Sequence, residues 1–270
     1  MATREKIKLT SYNELLGVNN DMISEIDINK LHQFKDHPFS VVDNEKMLEL
    51  AKSIENNGIL SPLLVRPLGD GEYEIISGHR RKRACEITGK KKVSAIIKDI
   101  SHEEAIPLMV DANFQREDTL PSEKAKAYKM KMEALAHQGK SSDEMSSAKK
   151  IGQLAGISDR QVQRYIRLTE LIPELSKLVD DKQITFVLGV EISFLKTEYQ
   201  QLIYENICKG KKVSKDNVRM IRENQENLSL EEVSQILFAD KAKVQKKICN
   251  VTLKENKLSE FFDSTYTKKE

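Results

Sequence analysis

The chain changes character near residue 100, and this change constrains its fold more than any other feature of the sequence. Before that point, β-branched and apolar runs such as LLVRPL (63–68), YEIIS (73–77) and VSAIIKDI (93–100) alternate with helical patterns. From Glu103 to about Leu237 nearly all of the pattern is helical. We therefore predict an α+β fold, in which an α/β domain precedes an all-helical domain.

Local signals sharpen this division. Segment 44–58 has apolar residues at helical spacing, with Asn44 or Asp43 as its cap and Gly58 at its end. The turn Gly-Asp-Gly at 69–71 joins two strand-like runs into a predicted hairpin. A chain of 270 residues has room for two compact domains. The predicted divisions are an N-terminal arm (1–25), the α/β domain (26–119), the helical domain (120–226) with a polar linker at 140–147, and a helical C-terminal segment (227–270).

Positive charge is concentrated in and after the stretch ISGHRRKRACEITG (76–89). Between Gly78 and Lys98 there are eight Lys or Arg residues and one acid, although the net charge of the whole chain is only +2. A glycine before a helix lets the backbone approach a ligand, and the free N–H groups at the helix start attract anions. Arg80 lies at the edge of the apolar stripe of this helix, beside Arg81. From these residues alone, a phosphate site and a solvated basic helix face both remain open interpretations.

The segment AKKIGQLAGISDRQVQRYIRL (148–168) predicts a helix-turn-helix. Gly152 allows two helices to cross closely, Gly156 suits the turn, and Ser158 can cap the second helix. The second helix then presents basic and amide side chains outward, which are the types that bind base edges and phosphates. An ordinary helical hairpin with a basic face is the alternative. The predicted DNA-binding residues are Arg160, Gln161 and Arg164 at the bases, Lys149 and Lys150 at the backbone, and Ser158, Gln163 and Arg167 beside them.

Taken together, these motifs resemble the ParB family of bacterial partition proteins. LSPLLVRPL (60–68), SGHRRKRA (77–84), NFQRED (113–118) and the helix-turn-helix follow the family's order and approximate spacing, and the resemblance covers roughly residues 26 to 200. It implies a ParB/sulfiredoxin-type nucleotide domain followed by an all-helical domain that binds double-stranded DNA. It further implies CTP and Mg²⁺ as ligands, a homodimer that closes on DNA as a clamp, and recruitment of a partner ATPase.

The resemblance also implies which residues bind the nucleotide. Two positions depart from the family's pattern: His79 replaces a glutamate in the second motif, and Ala112 replaces a glutamate that the family uses for hydrolysis and metal binding. An alanine can neither ligate Mg²⁺ nor position a water, so CTP binding is expected while CTPase activity stays open. Asp111 is a candidate substitute for the missing carboxylate. The expected nucleotide site comprises Gly78, His79, Arg80, Arg81, Asn113, Arg116 and Arg66, with Asn113 also as a Mg²⁺ ligand.

Two other functions are compatible with the sequence. The first is a helix-turn-helix transcription regulator in which the basic α/β domain is only structural. The second is a nucleotide-dependent phosphotransferase of the sulfiredoxin-like fold. Sulfiredoxins carry G-C-H-R, whereas here Gly78 directly precedes His79 and Cys85 lies well inside the helix, so this second alternative is the weaker.

The remaining features concern assembly and location. SLEEVSQILF (229–238) carries Ser229 and Glu232 at capping-box spacing, and residues 229–262 either form a dimerisation module, which we favour, or cap the helical domain. Cys85, Cys208 and Cys249 lack metal-ligand spacing and are expected to be small buried hydrophobes. Neither a signal peptide nor a long apolar run is recognisable, so we expect a cytoplasmic, nucleoid-associated protein that does not bind membranes.

Overall fold

A five-stranded mixed sheet forms the N-terminal part of the molecule. The computed structural model describes residues 23–114, 119–137 and 144–238, without the side chains of 144–146. The strand order is β1-β5-β3-β4-β2, with β3 and β4 forming the predicted antiparallel hairpin and β3 parallel to β5. The strands are β1 (Ile23–Asp27), β2 (Leu31–His32), β3 (Leu63–Gly69), β4 (Glu72–Ser77) and β5 (Lys92–Ile97).

The first strand begins earlier than the sequence pattern indicates. Ile23 pairs with Ile96 of β5, so residues 23–25 of the predicted arm belong to the sheet. Ile23 is exposed at this edge and Ser24 is polar, which is why the segment lacks the apolar signal of a central strand. Residues 1–22 of the predicted arm lie outside the described residues.

Helices cover both faces of the sheet because its strands alternate between two cores. Leu63 and Val65 of β3 pack in one cluster with α1 and α2, while Leu64 between them packs in another with α3. Asn44 caps α1 as predicted, since its Oδ1 accepts the Met47 N–H at 3.1 Å. The three helices are α1 (Glu45–Asn57), α2 (His79–Ile87) and α3 (His102–Asp111).

The described chain after residue 119 is helical, as predicted, and α4 connects it to the sheet domain. This helix contributes Ala125 to the core of the helical domain, Ala127 to the core beneath α3, and Tyr128 to a small cluster with α5 and α6. The helices are α4 (Pro121–His137), α5 (Glu144–Ala155), α6 (Asp159–Arg167), α7 (Pro173–Asp180), α8 (Phe186–Ile192), α9 (Thr197–Cys208), α10 (Lys215–Asn224) and α11 (Leu230–Phe238). Together with the sheet they make an α+β protein, which confirms the predicted fold class.

Two predictions about single segments are wrong. The polar linker predicted at 140–147 does not extend past residue 143, because α5 begins at Glu144 and Ser147 is buried next to Ala148. Serine is small enough to pack on the inner face of a helix, which composition alone does not reveal. Cys85 is buried as predicted, but Cys208 is exposed at the end of α9. Cys249 lies outside the described residues.

The last described helix caps the helical domain. Ser229 and Glu232 form the predicted capping interaction. The Ser229 N–H donates to Glu232 Oε2 at 2.9 Å, and the Glu232 N–H donates to Ser229 Oγ at 3.3 Å. Val233 and Leu237 are buried in the same core as α9 and α10. The apolar face of α11 is thus used within the domain, and residues 239–262 lie outside the described part. Among the described helices, none is both long and apolar enough to cross a membrane.

Candidate nucleotide pocket and nucleic-acid interface

Gly78 forms the junction between β4 and the basic helix α2. Its φ is +111°, a left-handed conformation that side chains other than glycine rarely adopt. A Cβ at this position would lie 2.7 Å from Leu63 Cγ of β3, so the backbone also leaves no space for a side chain. Glycine is required here on both counts, and it brings the N-terminus of α2 close to the neighbouring strand.

A pocket opens in front of this helix start. It brings together five of the seven residues predicted to bind nucleotide, from two motifs that are far apart in the sequence. Arg116, a sixth, lies outside the described residues. The pocket is lined by His37, Val41, Ser77, Gly78, His79, Arg80, Arg81 and Asn113.

The arginines of α2 differ in what they contact. Arg81 donates from Nη1 to the carbonyls of Ser61 and Pro62, the latter at 2.6 Å, and so holds the loop before β3. Arg83 points away from the pocket and forms an ion pair with Asp43 at 2.5 Å. The Arg80 side chain lines the pocket and makes no hydrogen bond or ion pair with any residue that the structure describes. Its guanidinium is therefore the best placed of the three for an anion.

The structure places Arg66 outside the lining of this pocket. Its Nε donates to Glu74 Oε2 at 2.6 Å, and Glu74, which is buried, also accepts the Lys35 N–H at 2.8 Å. Burial would raise the pKa of Glu74, but the Lys35 N–H and the Arg66 guanidinium outweigh this effect and hold the pKa below its ordinary value. Arg66 thus helps to fix segment 33–44, the wall that carries His37.

His79 packs against that same wall. Its ring lies 3.9 Å from the His37 ring, centroid to centroid, and its Nε2 accepts the Phe34 N–H at 3.5 Å. The sequence separates these two histidines by 42 positions, and the fold brings their rings together beside the start of α2.

Asp111 does not replace the glutamate that is missing at position 112. Its carboxylate is paired with the Lys131 ammonium of α4, and it does not line the pocket. Burial raises the pKa of Asp111 and lowers that of Lys131, and their mutual attraction opposes both shifts. Asn113 donates from Nδ2 to the Met109 carbonyl at 2.8 Å, which leaves its Oδ1 as the side-chain oxygen for a cation.

The described residues could hold Mg²⁺ only together with oxygen ligands from a bound phosphate compound and water. They contain no group of three or more His, Cys, Asp or Glu side chains that could hold a metal ion. One amide oxygen, from Asn113, is too few for the octahedral oxygen shell that Mg²⁺ requires. A Mg²⁺ ion at this position would depend on phosphate oxygens and waters for its other ligands.

The predicted helix-turn-helix corresponds to α5 and α6. A Cβ on Gly152 would lie 2.6 Å from the Ile157 carbonyl oxygen, so the close crossing depends on this glycine. Gly156 has a φ of +69° in the turn, and Ser158 Oγ accepts the Gln161 N–H at 3.2 Å as the predicted cap. Most of the predicted DNA-binding side chains are exposed, namely Lys149, Lys150, Ser158, Arg160, Gln163 and Arg164, and Gln161 is half-buried.

Arg167 does not point outward as predicted. It is half-buried, donates from Nη2 to the Ser193 carbonyl at 2.6 Å, and lies over the Phe194 ring at 4.3 Å. The reason is that α6 ends at this residue, where the segment after α8 packs against it. Arg222 of α10 lies 3.6 Å from the same ring and forms an ion pair with Glu191 at 3.5 Å. Sequence patterns missed Phe194, Glu191 and Arg222 because these residues approach α6 only in the folded chain.

An aromatic row links the pocket to these helices. Phe114, next to Asn113 in the chain, lies 5.5 Å from Tyr128 of α4. Tyr128 lies 5.5 Å from Tyr165 of α6, which lies 4.7 Å from Phe186 of α8, all between ring centroids. In this fold the pocket at the start of α2 and the exposed basic helix pair α5–α6 are thus connected through the packed helix α4.

Comparisons with known proteins identify the family. The sequence profile of the ParB N-terminal domain matches residues 13–114. The chromosome-partitioning protein Spo0J of Thermus thermophilus is 39% identical over 141 residues, 52% of this chain and 48% of that protein. A nucleoid occlusion protein of Oceanobacillus iheyensis is 30% identical over 213 residues, 77% of this chain and 71% of that protein. The chain belongs to the ParB family.

Two crystal structures of C-terminally truncated ParB from Caulobacter crescentus are also similar. The complex with the centromeric parS site has 24% identity and a TM-score of 0.46, covering 79% of this chain and 98% of that one. The complex with CTP-gamma-S has 26% identity and a TM-score of 0.33, covering 69% and 99%. Both TM-scores are below 0.5, so the family assignment rests on the sequence matches. This chain spans about half of the length of Spo0J from Thermus thermophilus.

Proposed function

We propose that this protein is a DNA-binding partition protein whose hold on DNA is controlled by CTP. The observation that carries the proposal is the convergence of Gly78, His79, Arg80, Arg81 and Asn113 on one pocket in a chain of the ParB family. A solvated basic helix face would not need a glycine with no room for a Cβ, nor an asparagine from another motif. This convergence favours the phosphate site over the solvated face.

In this proposal the start of α2 binds the triphosphate. The backbone N–H groups in the first turn of α2 and the Arg80 guanidinium would supply positive potential to the phosphates. Arg81 acts on the site through the loop at Ser61 and Pro62 that it holds. Asn113 Oδ1 is the side-chain oxygen with which this chain would hold a Mg²⁺ ion bound together with the nucleotide, and such an ion would neutralise phosphate charge.

Nucleotide turnover is a separate property from nucleotide binding. With alanine at position 112 and Asp111 occupied by Lys131, the described residues place no carboxylate at this pocket to orient a water. We propose that CTP acts chiefly as a bound ligand that changes the affinity for DNA.

The DNA interface is proposed to be the exposed face of α5 and α6, acting as a helix-turn-helix. Arg160, Gln161 and Arg164, in the first two turns of α6, would approach base edges, and Lys149 and Lys150 would contact phosphates. A homodimer would present two such helices to one DNA site, and a partner ATPase would complete the partition system. The protein would then be nucleoid-associated.

Nucleoid occlusion is the second candidate function. It is favoured by the Oceanobacillus iheyensis relative, of which this chain spans 71%. The same pocket and the same DNA interface would serve either role, and the position of the DNA sites on the chromosome would separate them. Chromatin immunoprecipitation distinguishes clustered sites near one locus from sites spread over the chromosome.

Isothermal titration with CTP, ATP and GTP, each with Mg²⁺, tests the proposed function. We expect CTP to bind with at least tenfold preference over ATP and GTP. The titration is repeated with a parS duplex present, because the proposal requires DNA to change the CTP affinity. Absence of binding by all three nucleotides, with or without DNA, would favour an ordinary helix-turn-helix transcription regulator instead.

A further inference from the structure

The first turn of α4 is bonded to both domains. The Ser122 N–H donates to Asp180 Oδ1, at the end of α7, at 2.9 Å. The carboxylate of the next residue, Glu123, reaches in the other direction: its Oε1 accepts the Ser40 backbone N–H at 2.7 Å and the Ser40 hydroxyl at 2.5 Å. Adjacent residues of one helical turn thus attach the helical domain and segment 33–44 to each other.

Glu123 is a buried charge whose hydrogen bonds are essential to its placement. It is 7% exposed, and its second oxygen, Oε2, accepts the Leu120 N–H at 3.1 Å. A carboxylate in the first turn of a helix is further stabilised by the helix dipole. Ser40 itself is exposed, so the buried member of this contact is the Glu123 carboxylate, and its loss would leave the Ser40 N–H without its acceptor in the protein.

The partner of Glu123 lies in the wall of the nucleotide pocket. Ser40 stands between Phe39, which is buried in the core with Ala127 of α4, and Val41, which lines the pocket. The same wall carries His37, and its earlier part is fixed by the Lys35 N–H on Glu74. Glu74 on the sheet and Glu123 on α4 are therefore two of the groups that hold this wall.

We propose that Glu123 is a positioning residue for the nucleotide pocket, and that through Ser40 it makes the pocket sensitive to the placement of α4. This inference rests on the proposed function. Because α4 packs against α6 through Tyr128 and Tyr165, a change in α4 also reaches the DNA-binding helices. Linkage then requires that DNA, by acting on α4, changes the CTP affinity by the same factor as CTP changes the DNA affinity.

The test compares Glu123→Ala with Glu133→Ala, which removes an exposed carboxylate from the same helix. Two milder variants weaken the same contact between Glu123 and Ser40. Glu123→Gln keeps one acceptor oxygen, and Ser40→Ala removes only the hydroxyl. Circular dichroism and thermal unfolding establish which variants are folded, and the milder variants carry the test if Glu123→Ala is not. Hydrogen exchange of the peptide spanning 33–44 is measured without nucleotide, and CTP affinity is measured with and without a parS duplex.

We expect Glu123→Ala to speed exchange in 33–44 and to weaken CTP binding roughly tenfold, as for the loss of a buried hydrogen-bond acceptor. In Glu123→Ala, the ratio of the CTP affinities measured with and without parS should fall to about 1. The ratio for Glu123→Gln should be intermediate, and that for Glu133→Ala should equal the wild-type ratio. Unchanged exchange or unchanged CTP affinity in Glu123→Ala would overturn the inference while leaving the proposed function intact. A different result would reject the proposed function. If Glu123→Ala speeds exchange in 33–44 but the wild-type protein binds no nucleotide, Glu123 is a structural residue only.

Discussion

At the scale of single residues, Arg80 and its neighbours on α2 make the nucleotide proposal testable. The Arg80 side chain lines the pocket without a hydrogen bond or ion pair among the described residues, whereas Lys82 is paired with Glu86 of the same helix. We expect Arg80→Ala to abolish measurable CTP binding with the fold intact, because a phosphate loses its charged donor. Lys82→Ala removes a positive charge from the same helix, where Lys82 pairs with Glu86 at 3.0 Å outside the pocket lining, and should bind CTP as the wild type does. Isothermal titration compares the two, and equal CTP affinity in both would remove Arg80 from the site.

Arg164 tests the DNA interface in the same way. It is exposed on α6 and, if it reads a base edge, Arg164→Ala should weaken binding to the specific site by ~1–3 kcal/mol. Binding to unrelated DNA should change much less. Lys177→Ala, on the exposed face of α7, is the control for simple loss of charge. Fluorescence anisotropy with parS and scrambled duplexes measures both, and an equal loss on every duplex would make Arg164 a phosphate contact.

At the scale of elements, the crossing of α5 and α6 depends on Gly152. A methyl group there would lie 2.6 Å from a backbone oxygen, which cannot move without opening the helix pair. We expect Gly152→Ala to lower the free energy of unfolding by ~1–3 kcal/mol, as for overpacking of a tight contact. Gln153→Ala, at an exposed position one residue later, should change it by less than about 0.5 kcal/mol. Urea denaturation gives both values, and a stable Gly152→Ala variant would contradict the geometry.

The hydrogen bonds that Glu74 makes to Lys35 and Arg66 predict how the stability of the fold changes at acid pH. The pKa of Glu74 is held below its ordinary value of 4.5, so its hydrogen bonds stabilise the fold at pH above 4.5. That stabilisation is lost as the pH falls through the lower pKa of the folded state. Glu74→Gln should therefore be less stable near pH 7 and lose less further stability on acidification, while the exposed Glu133→Gln should follow the wild type. Thermal unfolding between pH 7 and 3 measures this, and parallel curves for Glu74→Gln and wild type would refute it.

How far the sequence predicts these elements depends on the range of the interactions involved. The caps at Asn44, Ser158 and Ser229 were predictable because each bonds within its own first helical turn. Glu123 was missed because its partner, Ser40, is 83 residues away in the chain. Arg66 was placed in the pocket by its motif, but strand register sets it opposite Glu74 instead. Local signals thus predicted the elements and part of the site, while buried ionic contacts required the fold.

At the scale of the whole molecule, nucleotide binding should stabilise the folded chain against unfolding. A ligand that binds only the native state raises the free energy of unfolding by about 2.7 kcal/mol at a concentration of one hundred times its Kd. We expect CTP to raise the melting temperature of the wild type in a concentration-dependent way, and to leave that of Arg80→Ala unchanged. Lys82→Ala should respond as the wild type does. A melting temperature that is indifferent to CTP would argue against binding to the native state.

The aromatic row between the pocket and the DNA-binding helices gives the protein a built-in optical signal. The chain contains seven tyrosines and no tryptophan, so its ultraviolet emission comes from tyrosine alone. Two of these tyrosines, Tyr128 and Tyr165, face each other across the contact between α4 and α6, and burial raises the pKa of Tyr128 to about 12. The Tyr128 phenol therefore stays protonated over the whole range of ordinary buffers. Rearrangement of this contact can be followed in the unlabelled protein by tyrosine emission and its anisotropy, in real time, without introducing a dye.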